Sequence, residues 1–398
     1  AAQIPAPVTA YGDSDNSYGY QSGTDSYPEL FVGRFSATTN THVQIMVNRT
    51  VNYEQTPQAG ATWYKKGIAI ASDQGPGDDA EMDFEHQRNL KSLMMAYTYN
   101  NYSENFDGSQ GGIDAAGNPS AASIGTQVDA GAGIITYTGH GSDFAFSTSG
   151  YSTTNITTLN NTTAHPFIWS VACVNGNFVP NATCFAEGWL RAGTPAAPEG
   201  ALATLMATIN QSWNPPMEGQ DAMVEILVES DIANIKRTFG GLSLNGCMQM
   251  NDAYGTAGNE MTDTWNLFGD PSVMVFTDTP LPMVTSHLGS VPVATTSVVV
   301  SNNTVNALIC LSKAGVILGT GISNGTSATI TIPSAIPGTI DVVATAYNKM
   351  PYAGTISVSG GVGITENNSA DAFITFPNPA NNSLTMNYTF NSSEKIKL

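Results

Sequence analysis

The chain has five histidines and four cysteines in 398 residues, and one of each stands where an apolar run breaks off. His140 ends "GIITYTGH" and Cys173 follows "FIWSVA". A thiol is largely protonated at neutral pH. A neighbouring imidazole favours the thiolate, which attacks carbonyl carbon, and can then protonate the departing amine. Small residues follow each group, Gly141 in "HGS" and "NG" after Cys173, and they let backbone N–H groups approach a developing oxyanion. Two further apolar runs end in polar or acidic residues: "GIAIAS" leads into "DQGPGDDAEMD", and "LATLMATI" into "NQSW". If the four runs are neighbouring parallel strands, a thiol, an imidazole, carboxylates and an indole meet at the carboxyl edge, where such sheets bind ligands. Cys184 and His86 compete on residue type alone, but both fall in helical stretches.

The elements that must hold these groups follow from periodicity. Up to about residue 276 short apolar runs alternate with helical stretches, which predicts an α/β fold with a parallel sheet covered by helices. "ELFVGRFSA" (29–37) and "KKGIAIAS" read as strands. "THVQIMVNRTVNYEQ" (41–55), "MDFEHQRNLKSLMMAYTY", "FAEGWLRAG" and "GQDAMVEILVES" read as helices. Near residue 278 "TDTPLPMV" reads as an exposed Pro-rich joint. Beyond it β-branched runs separated by Gly, Asn, Ser and Pro turns predict a small all-β sandwich.

Composition narrows the class. Thirteen Lys+Arg stand against 32 Asp+Glu, a net charge of −19, which argues against a nucleic-acid groove or an anionic membrane surface. It suits a secreted protein, or one using carboxylates for calcium. No run is long and apolar enough for a membrane span. The opening "AAQIPAPV" has no charged-then-apolar leader, so any signal is expected to have been removed or left out. Cysteines 173, 184, 247 and 310 show no CxxC spacing, so neither a disulfide framework nor a thiolate zinc site is expected, and Cys247 and Cys310 read as buried structural thiols. Sequons such as those at Asn101, Asn155 and Asn181 arise by composition in a Ser/Thr/Asn-rich chain. Only five arginines occur, at 34, 49, 88, 191 and 237. Such scarcity either limits cleavage of the chain itself or reflects a source with a generally Lys/Arg-poor proteome.

Several motifs carry a family resemblance: "YTGHGSD", "ACVNGNF", "CFAEGWLRA", "TINQSWNPPMEGQDAMVEIL", "NIKRTFGG" and "DTWNLFGDPSVMV". They resemble the gingipains, secreted cysteine peptidases with a caspase-like fold, and lie nearest the arginine-specific branch. The resemblance implies Cys173 as nucleophile, His140 as general acid/base, and the N–H groups of Gly141 and Cys173 as oxyanion donors. It also implies an S1 pocket with Asp83 at the bottom, Trp213 and Met217 as walls, and Gln211 helping to hold the guanidinium. A carboxylate under an apolar slot matches arginine, which offers a planar fork to an acid and a flat face to an indole. Structural Ca²⁺ is implied at "SGTDSYPE", through the side chains of Asp25 and Glu29 and the carbonyls of Ser22 and Tyr27. A second ion is implied near Glu81 and His86.

The implied organisation is a remnant of an N-terminal caspase-like subdomain (1–58), a catalytic caspase-like subdomain (59–276) and an immunoglobulin-like domain (277–358). The last segment (359–398), with its "FPNPA" turn, resembles the start of a type IX secretion sorting domain, implying export to the outer cell surface or beyond. Protein and peptide substrates are the implied partners. A separate N-terminal fragment is expected to complete the first subdomain. The chain also departs from the family. Gln74 stands where an acid orients the histidine, so either Asp73 takes that role or the pair works as a dyad. Two other readings stay open: a catalytically inactive surface or filament subunit, and a peptidase with Lys or mixed P1 preference.

Overall fold

"IITYT", "FIWSV" and "ATLMA" are short runs with apolar residues on both faces, the pattern of strands covered on two sides, and all are buried throughout. In the computed structural model, which describes residues 9–180, 182–359, 373–376, 382 and 385–388, they lie inside a six-stranded sheet. Its strands are β1 (Lys66–Ala71), β2 (Asn101–Phe106), β3 (Ile134–Thr138), β6 (Phe167–Val171), β7 (Ala203–Ala207) and β8 (Trp265–Phe268). Between β3 and β6 a miniature hairpin, β4 (Gly141–Ser142) with β5 (Ala145–Phe146), projects from the carboxyl edge. The order is β2-β1-β3-β6-β7-β8. All neighbours are parallel except β8, which runs antiparallel to β7. The expected parallel sheet thus carries one antiparallel edge strand. The chain enters β8 directly from a helix ending at Thr264, so it returns along β7 instead of crossing over.

Among the described residues eight α-helices accompany these strands: α1 (Asn40–Gln55), α2 (Asp83–Tyr97), α3 (Ala121–Asp129), α4 (Thr153–Ile156), α5 (Phe185–Arg191), α6 (Asn214–Leu227), α7 (Phe239–Tyr254) and α8 (Thr256–Thr264). Leu90 and Met94 of α2, Met217 and Met223 of α6, Leu242 of α7 and Met261 of α8 fill one face of the sheet. Met46 of α1, Ile124 of α3, Ile156 of α4 and Phe185 and Trp189 of α5 fill the other. Each such side chain removed from water stabilises the fold by roughly 1.5–3 kcal/mol. The stretch 29–37 is not a strand. It touches the sheet at one bridge, Arg34 to Phe268, because Arg34 turns inward to pair with Asp15 and to lie over the Phe178 ring at 4.4 Å.

Beyond residue 284 two sheets share a core of Val298, Val300 and Ile330 from one side and Ile309, Leu311, Ile340, Val342 and Ile356 from the other. One sheet contains Thr285–His287, Ser297–Asn302 and Ser327–Thr331. The other contains Ser290–Pro292, Val305–Lys313, Val316–Asn324, Gly338–Thr345 and Tyr352–Ser359. The joint is not the exposed linker expected: Thr279 is half-buried and its hydroxyl donates to the Ala61 carbonyl at 2.9 Å. Asn348 Oδ1 accepts from the N–H groups of Thr277 and Asp278, tying the sandwich to the helical layer. Cys247 is buried as expected, whereas Cys310 is half-buried. The 359–398 segment lies outside the described residues, apart from Ser359, Asn382 and an antiparallel pair, Phe373–Phe376 with Thr385–Tyr388.

Candidate active site

Register brings the two reactive groups together. β3 pairs with β6 so that Thr138 lies opposite Val171. His140 and Cys173 therefore each stand two residues past the end of adjacent strands, which lie about 4.8 Å apart in a sheet. Gly139 N–H donates to the Val171 carbonyl at 3.1 Å, carrying the pairing one step further. The backbones remain close beyond it: a Cβ built on Gly141 would fall 2.6 Å from the Cys173 carbonyl oxygen. Only glycine fits there, and so the expected oxyanion donors, Gly141 and Cys173, stand side by side.

The loop after Cys173 is held in a costly shape. Val174, a β-branched residue, has φ +49°, a conformation that costs about 1–3 kcal/mol and persists only where its surroundings impose it. Val174 N–H donates to the Ile209 carbonyl (2.9 Å) and Gly176 N–H to the Ala207 carbonyl (2.8 Å), so the end of β7 imposes it. Cys173 is half-buried, with Sγ 3.9 Å from the Gln211 carbonyl, and His140 is exposed. The competitors sit elsewhere. Cys184 is buried at the start of α5, where burial drives its thiol far up, and burial pushes Cys247 up to about 12. Neither supplies a thiolate near neutral pH.

Asp83 opens α2, fully buried, with both carboxylate oxygens engaged. Ser72 Oγ, just past the end of β1, donates to Oδ2. Trp213 Nε1 donates to Oδ1 at 3.0 Å. Burial raises the Asp83 carboxyl above its ordinary range, and these two donors pull against the rise. The Trp213 ring meets the His140 ring edge-on at 5.0 Å between centroids. One indole thus touches both the carboxylate and the imidazole. Met217, in the first turn of α6, is fully buried, and a Cβ on Gly77 would strike its sulfur at 2.3 Å and Trp213 Cδ1 at 2.9 Å. Gly77 is therefore part of the wall. Gln211 Oε1 accepts from Ala172 N–H at 3.0 Å, while its Nε2 is buried without a hydrogen-bond partner. A small cavity between Thr138, Val171, Cys173, Gln211 and Trp213 joins the thiol to the indole.

Beneath these groups a buried amide network fixes the helices. Gln87 of α2 donates to Thr138 Oγ1 (2.9 Å) and to Gln220 Oε1 of α6 (2.9 Å) and accepts from Thr136 (2.6 Å). The helices carrying Asp83 and Met217 are thereby locked to β3. The 72–77 loop resolves the question of an orienting acid against Asp73. Its side chain is exposed and accepts from Gln74 Nε2 at 3.0 Å, and no acidic side chain among the described residues bonds the His140 ring.

The expected cation residues fall into two places. Around residues 22–29 the acids are spent on backbone: Glu29 accepts from Gln21 N–H (2.8 Å) and Ser22 N–H (3.3 Å), and Asp25 from Tyr27 N–H (3.1 Å). His86 is buried, with Nε2 3.0 Å from Gln220 Oε1 and Nδ1 3.6 Å from Glu81 and 3.5 Å from Asp221. Burial would push this imidazole down, but Glu81, Asp221 and Gln220 outweigh it and hold it above its usual range. That is an ion-pair environment and does not suit a histidine ligand to a hard cation. Among the described residues, one acidic trio has ligand atoms all within 4.8 Å of one another: Asp78, Glu218 and Asp221. Asp78 is buried with Oδ2 unpartnered, and burial raises the Asp221 carboxyl to about 7. These oxygens fit a divalent cation that would take up their charge. Glu218 and Asp221 stand one helical turn apart on α6, but Asp78 belongs to a loop far earlier in the chain, and sequence alone does not bring it to them.

Known proteins share this fold and much of this sequence. Gingipain R1 of Porphyromonas gingivalis is 36% identical over 360 residues, covering 90% of this chain and 35% of that protein, so the chain spans about a third of its relative's length. The crystal structure of the Arg-specific cysteine proteinase gingipain R (RgpB) superposes with a TM-score of 0.85 at 34% identity, covering 89% of this chain and 81% of that one. The complex of the Porphyromonas gingivalis RgpB pro- and mature domains gives 0.84 at 35% identity over 89% and 83%. The α/β sheet with its flanking helices is thus the caspase-like fold of gingipain R. The model of peptidase family C25 matches residues 3–276, from before the first described residue to just past β8, and the chain belongs to that family.

Proposed function

We propose that the chain is a secreted cysteine endopeptidase that cleaves after arginine. The observation that carries this reading is the register of β3 against β6, which sets His140 beside Cys173 with Asp83 roofed by Trp213 nearby. A P1 arginine fits the slot between Trp213 and Met217 with its guanidinium toward Asp83, a planar fork on a carboxylate. The Cys173 thiolate then attacks the scissile carbonyl. The Gly141 and Cys173 N–H groups stabilise the oxyanion, and His140 protonates the leaving amine. A water deprotonated by His140 hydrolyses the thioester and regenerates the thiol. Gln211 acts from behind, bracing the backbone at Ala172.

Calcium, if bound, serves structure and not chemistry: Asp78, Glu218 and Asp221 would hold it beneath the loop leading to Asp83. The Asp25/Glu29 loop, with the Ser22 and Tyr27 carbonyls, is the second candidate. No helix among the described residues is long and apolar enough to cross a membrane; the expected substrates are proteins and peptides. We further propose an immunoglobulin-like sandwich and a type IX route of export, the latter resting on the "FPNPA" motif.

The test is hydrolysis of Arg- and Lys-aminocoumarin peptides by the purified chain, by Cys173→Ala and by His140→Ala. Arg-directed turnover lost in both variants, with melting temperatures retained, supports the reading. A wild-type chain inert on both substrates points to an inactive subunit, and equal turnover on both ends the arginine assignment.

A further inference from the structure

We infer that Asn175 is a positioning residue for the reaction: its carboxamide fastens the loop carrying Cys173 to the hairpin that follows His140, and so sets the separation of thiol and imidazole. This rests on the peptidase reading above. Asn175 Nδ2 donates to the carbonyls of Ser142 (2.7 Å) and Ala145 (3.0 Å), one on each strand of the β4–β5 hairpin. Its Oδ1 accepts from Ser170 Oγ (3.0 Å) on β6, and its own carbonyl accepts from Ala186 N–H (3.0 Å) at the start of α5. The side chain is fully buried, and every polar atom of the amide is used.

The chemistry requires this residue type. Both hairpin partners are carbonyls, so the link needs two N–H donors on a short stem. Aspartate only accepts, serine donates once, and glutamine is one methylene too long. The hairpin makes room for the amide as well: a Cβ on Gly141 would fall 2.9 Å from Asn175 Nδ2. His140 depends on such anchoring because no acid among the described residues bonds its ring. Its carbonyl is pinned by Tyr137 OH (2.5 Å) and Ser147 N–H (3.0 Å), and its ring meets the edge of Trp213. The Asn175 bridge completes the set, joining the histidine segment to the nucleophile's loop through a fully buried side chain between them; Asn177 Nδ2, donating to Asp143 Oδ1 at 2.8 Å, adds a second, less buried link at the hairpin's tip.

The experiment compares full-length wild type with Asn175→Asp and Asn175→Ser. Aspartate removes both donors and sets a carboxylate against two carbonyls, and serine keeps one donor without charge. Two readouts are taken below the melting temperature: kcat and KM on an Arg-aminocoumarin peptide, and the iodoacetamide alkylation rate of the Cys173 peptide by mass spectrometry at pH 6 and pH 9. Misplacing a reacting group by about 1 Å costs about a hundredfold, so kcat falls by about that factor while KM stays within about twofold, because the P1 pocket lies on other elements. The pH 6 to pH 9 alkylation ratio falls by about tenfold or more, toward that of a thiol without imidazole support. Wild-type kcat in either variant overturns the inference. So does a loss of kcat with an unchanged alkylation ratio, the mark of a merely structural role. Should Asn175→Asp not fold, Asn175→Ser decides by the same two readouts. If wild type cleaves no Arg peptide the peptidase reading fails, while the alkylation ratio, which needs no substrate, still decides for or against Asn175.

Discussion

Asp83→Asn is the sharpest test of the arginine pocket, because it changes one charge and almost no volume. In the free protein both Asp83 oxygens accept hydrogen bonds, from Ser72 and Trp213. The asparagine Oδ1 can keep one of these donors, and its Nδ2 must turn toward the other. The more costly loss comes with substrate, when the guanidinium meets a neutral amide in a buried slot. Truncating one partner of a buried, hydrogen-bonded charge pair costs about 2–4 kcal/mol, which lowers kcat/KM by about 30- to 900-fold. The informative control is a P1 citrulline peptide, nearly the same shape without the charge. Wild type should prefer arginine strongly, and Asp83→Asn should lose most of that preference with little change on citrulline. Protonation should mimic the mutation. Burial raises the Asp83 carboxyl, so cleavage after arginine should fall off on acidification sooner than an ordinary carboxylate would dictate, and Asp83→Asn should lose that limb. An equal loss on both peptides with a lowered melting temperature would refute the reasoning and assign Asp83 to folding.

Three more outcomes are expected. Chelator should lower the melting temperature, since a cation held by the folded state at a hundred times its Kd contributes about 2.7 kcal/mol; Asp221→Asn should abolish the response, and an unchanged melt removes the cation claim. His165 is buried beside Arg49, and burial depresses its imidazole to about 3. The unfolded chain then takes up the proton first, so stability is held above about pH 6.5 and lost as pH falls, about 2 kcal/mol between pH 7 and 5. Thermal melts of His165→Gln should show a shallower pH dependence, and an identical slope would clear His165 of that role. Finally, Ile232 is 83% exposed in the loop between α6 and α7; Ile232→Arg should create an autolytic cut there, seen by mass, and an active enzyme that leaves it intact argues against arginine specificity.

What the sequence made legible follows from what it repeats. Apolar runs such as "IITYT" and "FIWSV" reveal buried strands, and a reactive residue just past each marks an edge. Register is not written there, yet it decides the site: a one-residue slip of β3 against β6 would move His140 away from Cys173. The strand expected at 29–37 failed because Arg34 turns inward to an ion pair, which periodicity does not weigh. Asn175 stood in plain view in "ACVNG", but a loop asparagine suggests a turn before it suggests a bridge to residues some 30 positions earlier. Ser72, Gly77 and the Asp78–Glu218–Asp221 trio share that difficulty, for their meaning is a distance in space. Asp73, the acid beside Gln74, was a natural candidate to orient His140 and instead accepts a hydrogen bond from Gln74.

The five arginines show the same contrast between count and placement. An acidic, Lys/Arg-poor source explains why they are few, but few residues need not be hidden ones. Each of the five is held. Arg34 pairs with Asp15, and Arg49 lies 1% exposed against the carbonyls of Leu190 and Glu199. Arg88 pairs with Glu104, Arg191 with Glu187, and Arg237 with Glu229 while lying over the Tyr347 ring at 4.5 Å. Arg49, Arg88 and Arg191 sit within helices, where the backbone cannot extend into a cleft without local unfolding. A peptidase directed at arginine meets no extended, unpaired arginine on this surface. Even Arg237, in the loop before α7 and with the most exposed of the five side chains, is held by Glu229 and the Tyr347 ring, whereas surface arginines are ordinarily solvated. The placement therefore favours self-resistance over background composition.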